Sequence, residues 1–155
     1  FYRLFKGKDD AAIAALRRST EQIVEAARPA FRAPTDWPQA VGDGLRAFFG
    51  FLVVERPYAR FGGVDVRSGS PLILDVRDQV MASTEKVVAE DVRDHPEVAP
   101  LVSEAIAASI DALVFDQITR HGERGLYEIT PLAIYIALTP FIGAEEACAI
   151  ANQDH

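Results

Sequence analysis

The chain is poor in cysteine, lysine and tryptophan, and it has no excess of positive charge. Cys148 is its only cysteine, which excludes an internal disulfide framework. A lone thiol of this kind is expected to be a small buried hydrophobe, and the reducing cytoplasm suits it. The formal net charge is −7 across 155 residues. DNA binding needs a positive footprint, so this stretch cannot hold nucleic acid through its bulk field. A basic module outside the sequence is not excluded. The chain opens on Phe1 rather than Met, so a missing start is expected. No secretory signal pattern opens it. Leu126 to Ile142 is the most apolar run, but it is short for a membrane span and holds Glu128, Pro131 and Pro140. We read it as a buried helix and expect no membrane partner. The histidines His95, His121 and His155 do not pair with other ligands at a metal-binding spacing. No glycine-rich phosphate loop, G-x-S-x-G elbow or nucleophile–base pair is legible. No catalytic residue, metal or cofactor is therefore expected, and the chain does not read as an enzyme.

What is present is helical patterning. Hydrophobic residues make up 49% of the chain and charged residues 25%, enough for a sizeable core in one domain. No Asn-Gly or Asp-Gly pair separates two alternating runs, and apolar residues recur at helical spacing. The expected fold class is all-α. A first helix is predicted from Lys8 to Ala27, with Ile13, Leu16, Thr20, Ile23, Val24 and Ala27 on one face and Pro29 ending it. Asp36 can cap a second helix with Pro38 in its first turn, running to Arg56. Tyr58 to Ser70 holds a short helix and a loop containing Gly62-Gly63. Ser70 can cap the next helix, which opens on Pro71 and reaches Val92. Its two apolar faces, through Ile73, Val76 and Val80 and through Leu74, Met81 and Val88, predict a sandwiched helix. Another helix ends at His121 with Gly122 as cap. The last long helix spans Ile129 to Thr139, broken or kinked at Pro140, and a short one follows from Ala144.

Several residues invite a chemical reading. Gly42, Gly44 and Gly50 sit inside a helix, where each costs about 1 kcal/mol relative to alanine. They serve either close helix packing or space for a ligand. Asp111 and Asp116 lie in an apolar stretch on different helix faces, which suits a solvated residue and an interface or capping partner better than a catalytic pair. Arg56 and Arg60 are surface arginines that can also meet an acidic ligand group.

The opening stretch Phe1-Tyr2-Arg3-Leu4-Phe5-Lys6-Gly7-Lys8 resembles the end of the helix-turn-helix in TetR-family transcriptional regulators, where the recognition helix gives way to a linking helix. Tyr2, Phe5 and Lys8 match the pattern in place. The segment Thr139-Pro140-Phe141-Ile142-Gly143-Ala144-Glu145-Glu146-Ala147 also resembles the closing segment of many members. The resemblance implies that residues 1–8 are the remnant of a DNA-binding domain, with Tyr2 and Lys8 touching DNA phosphates. It implies that residues 9–155 form the effector-binding and dimerisation domain, a helical bundle that dimerises as a four-helix bundle. Ile110, Leu113, Ile134 and Leu138 are then interface candidates, and Phe48, Leu52, Phe61, Met81 and Phe115 among the central helices are candidates to line an effector cavity, which their side chains suit to a mainly apolar small molecule with one or two polar groups. Independent of the resemblance, residues from Leu126 to Ile142 are apolar nearly all round, and a partner chain is the simplest source of a second buried side. The function so implied is a ligand-responsive regulator, by expectation a repressor and a homodimer, which meets operator DNA through a missing N-terminal domain. The alternatives are a helical dimerisation module without an effector, or a small all-α enzyme.

Overall fold

The computed structural model describes residues 7–32, 36–91 and 100–153, and these are all-helical. The element order is α1 (Lys8–Arg32), α2 (Trp37–Val54), α3 (Arg56–Gly63), a 3-10 turn (Asp65–Ser68), α4 (Pro71–Asp91), α5 (Pro100–His121), a second 3-10 turn (Glu123–Tyr127), α6 (Thr130–Ile142) and α7 (Ala144–Ala151).

Local chemistry explains most of the boundaries. Asp9 and Asp10 occupy the first turn of α1, where the helix dipole favours negative charge. The Asp36 carboxylate accepts from the Gln39 amide at 3.3 Å and caps α2, with Pro38 in its first turn. Gly122 and Gly143 adopt positive φ, +78° and +81°, and end α5 and α6.

Neither Pro29 nor Pro140 ends its helix. Pro29 lies inside α1, which continues to Arg32. An interior proline forfeits one backbone hydrogen bond and costs about 3 kcal/mol or more. Packing of α1 along both α2 and α4 offsets that cost, and only one further turn follows the proline. Pro140 likewise stays inside α6, and Gly143 provides the stop. The Gly62-Gly63 pair belongs to α3 rather than to a loop. A Cβ on Gly63 would stand 3.1 Å from Val114 and 3.2 Å from Ile118, so this glycine lets α3 seat closely on α5.

The core has three parts. Phe49, Leu52, Ala59, Val114, Ile118, Leu126 and Ala133 join α2, α3, α5 and α6. Ile134, Leu138, Ala147, Ile150 and Ala151 join α6 to α7, with Trp37, Val41 and Leu45 of α2 against them. Leu16, Val66, Ile73 and Val76 tie α1 to α4 and the first 3-10 turn. A fully buried side chain such as Phe49 contributes roughly 2–3 kcal/mol. Ser19 shares the buried face of α1, its hydroxyl donating to the Leu16 carbonyl at 2.9 Å.

Other expectations need correcting. The α4 helix buries Ile73 and Val76 but leaves Leu72 and Leu74 exposed, and the Met81 and Val88 side chains of the expected second face lie outside the described residues. Cys148 is exposed, because Ala147, Ile150 and Ala151 take the inner face of α7. The stretch Glu123–Ile142 is long and apolar enough to cross a membrane by length and composition. It is divided, however, into a 3-10 turn and a 13-residue α-helix. That helix is about 20 Å long, less than the roughly 30 Å of a bilayer core.

Candidate functional site

The expected lining residues do not fall in one place. Leu52 is buried in the central core with Phe48 packed against it, and the Phe48 ring meets Phe49 edge-on. Phe61 packs instead on the core between α1 and α4. Phe115 lies beside the arginines described below, and the Met81 side chain lies outside the described residues. The helix glycines divide in the same way. A Cβ on Gly42 would come within 2.9 Å of Ile150 and 3.1 Å of the Arg46 guanidinium, so Gly42 serves packing against α7. A Cβ on Gly50 would meet nothing within 4 Å. Gly44 is buried in α2.

The strongest polar constellation forms where the first 3-10 turn, α4 and α5 meet. Nη2 of Arg67 donates to Oδ2 of Asp111 at 2.5 Å, and Nη2 of Arg77 donates to the same oxygen at 2.7 Å. Arg67 is fixed further by its Nε bond to the Gly63 carbonyl at 3.1 Å and by its position 4.4 Å above the Phe115 ring. Phe115 follows Asp111 by four residues on α5, so carboxylate and ring share a helix face. Arg77 also lies 3.5 Å from Asp78, a carboxylate largely in water. The Arg77 side chain is 17% exposed and that of Arg67 35%, so solvent reaches the cluster without flooding it. Sequence reasoning singled out Asp111 and Phe115 but missed both arginines. The pairs span 44 and 34 residues, and no local pattern encodes them.

A second polar link joins the start of α1 to the start of α4. The Ser70 hydroxyl donates to Asp9 at 2.8 Å and accepts from the Ile73 amide at 3.5 Å, the capping role expected of it. Asp9 thereby places a carboxylate at the N-terminal end of α4, where the dipole favours it. Lys8 is the exposed first residue of α1, and Tyr2 lies outside the described residues.

The remaining candidates are more ordinary. Arg60, exposed, bonds the half-buried Glu123 at 3.4 Å and stands 3.9 Å from the exposed Asp65. The Glu123 carboxyl sits below its ordinary value, chiefly through a backbone hydrogen bond, opposed by burial and assisted by Arg60. Arg56 is exposed, and Asp116 pairs with Arg120 one turn on. Ile110 and Leu113 are half-buried on α5. Ile134 and Leu138 are 0% exposed within the single chain and have no surface to offer another. The open apolar residues nearby are Leu132, 47% exposed, and Tyr127, 65% exposed.

Comparison with protein-family models, with curated proteins and with solved structures gives no match for this chain.

Proposed function

We propose that this chain is the effector-binding and dimerisation part of a TetR-type transcriptional regulator, a repressor whose operator binding weakens when a mainly apolar small molecule occupies the helical domain. The observation that carries this reading is the opening motif, which runs directly into a 25-residue helix with Lys8 as its exposed first residue. An exposed lysine ammonium at a helix N-terminus can donate to a phosphate oxygen. The all-helical architecture of the described residues is compatible with it. The link between Asp9 and Ser70 supports it mechanically, because it ties the start of α4 to the first turn of α1.

In this reading the two DNA-reading heads of a dimer must match half-sites about 34 Å apart, so a shift of a few ångströms at α1 weakens binding. The test uses the protein with its preceding residues restored, selected against random duplex DNA. Recovery of a near-palindromic site bound in a strongly salt-dependent way is the expected result. Tyr2→Phe and Lys8→Ala should each weaken binding about equally across sequences. Failure to select any site, or altered base preference in either variant, would overturn the reading.

A further inference from the structure

We propose that the cluster of Arg67, Arg77 and Phe115 is a carboxylate-binding subsite, and that the effector is an amphipathic organic acid with an aromatic or short aliphatic body. This inference rests on the effector reading above and deepens it. Two guanidinium groups converge on a single oxygen of Asp111, which places their Nη2 atoms within about 5 Å of each other. Each guanidinium offers five N–H donors. Arg67 uses one on Gly63 and one on Asp111, and Arg77 uses one on Asp111 and one on the solvated Asp78. Unused donors therefore remain on both groups, which two different elements bring together at Asp111. An ion pair with a well-hydrated carboxylate such as Asp78 is screened and worth little, so it leaves the second guanidinium poorly compensated.

A planar carboxylate is the ligand group that fits such a fork, because it accepts from both guanidiniums with charge-assisted bonds. The surroundings select what is attached to it. Phe115 supplies an aromatic surface under Arg67, and the exposed Leu74 stands one turn before Arg77 on α4. A sugar phosphate finds no apolar demand met here, whereas an arylacetic or short-chain acid meets both. Asp111 is then the internal stand-in, holding the two arginines together until an external carboxylate shares them.

The experiment is a thermal-shift and calorimetric titration of the full chain with phenylacetate, its neutral amide phenylacetamide, and acetate. Phenylacetate at millimolar concentration should raise the melting temperature measurably by mass action, and the amide and acetate should give less than a quarter of that shift. Arg77→Gln should abolish the shift, Arg77→Lys should reduce it, and Arg124→Gln, an exposed arginine elsewhere, should leave it intact. Should Arg77→Gln fail to fold, Asp111→Asn decides the matter, because removing the internal competitor should tighten phenylacetate binding about tenfold. A purely structural clamp predicts no gain in Asp111→Asn. No carboxylate-specific shift, a shift that survives Arg77→Gln, or no tightening in Asp111→Asn overturns the proposal. None of these readouts involves DNA, so loss of the regulator reading and loss of the acid site are told apart.

Discussion

Two glycines of the same helix should respond in opposite directions to the same substitution. Gly42→Ala drives a methyl group against Ile150 and the Arg46 guanidinium, and overpacking of this kind costs about 1–3 kcal/mol. Gly50→Ala meets open space and gains about 1 kcal/mol of helix propensity. Chemical denaturation of the two variants checks the contrast, and destabilisation by both would show that Gly50 is packed after all. Glu123 adds a pH dependence. Its depressed carboxyl contributes stability that is present above the ordinary value of 4.5 and lost as the pH falls through the folded value. Acid unfolding of Glu123→Gln should accordingly be slightly less steep. At this scale the sequence disclosed Asp36, Ser70 and Gly122, whose roles depend on neighbours within four residues. It hid Arg67 and Arg77, whose partner is reached only through the folded chain. It misled at Cys148, because a short helix with alanines on several sides does not declare which side faces inward.

Helix α7 is held by a polar pin as well as by its apolar face. Arg46 on α2 pairs with Asp43 at 2.9 Å and donates to the Ile150 carbonyl at 2.5 Å, near the last turn of α7. The same carbonyl accepts from the Gln153 amide at 3.3 Å, so the guanidinium adds a second bond at the end of the helix. Arg46→Met should speed amide exchange in α7 while leaving α1 and α4 unchanged, and uniform acceleration along the chain would refute this local role. Helix α1 offers the complementary test. Pro29→Ala restores an interior hydrogen bond and should raise stability by about 1 kcal/mol or more. A drop instead would mean that the helix had adapted its packing to the proline. Helix existence was legible for all five long helices because proline, glycine and capping residues punctuate them. The two interior prolines were not legible as such, since a proline marks a stop only when tertiary packing does not carry the helix past it.

Among the described residues, the single chain leaves two large apolar side chains open near the start of α6. Leu132 and Tyr127 are exposed, while Ile134 and Leu138 on the other side of α6 are sealed in the core. If a second copy covers these two residues, Leu132→Glu should yield a folded monomer by sedimentation, whereas Ile134→Glu should unfold the chain. Monomeric wild type at micromolar concentration would remove the dimer from the proposal. The apolar ring of residues around α6 announced burial on more than one side, but periodicity could not say which side belonged to the chain itself. The bond between Asp9 and Ser70 has a further consequence when α1 is treated as a lever. The helix is 25 residues, or about 37 Å, long. A pivot near Pro29 puts Asp9 at the far tip, so a tilt of about 5° sweeps it through about 3 Å, more than a hydrogen bond can stretch. A tilt of that size would break this bond and leave the apolar packing of Leu16 with Ile73 and Val76 to couple the two helices, so the Ser70 hydroxyl is a weak catch on a joint that the core holds shut.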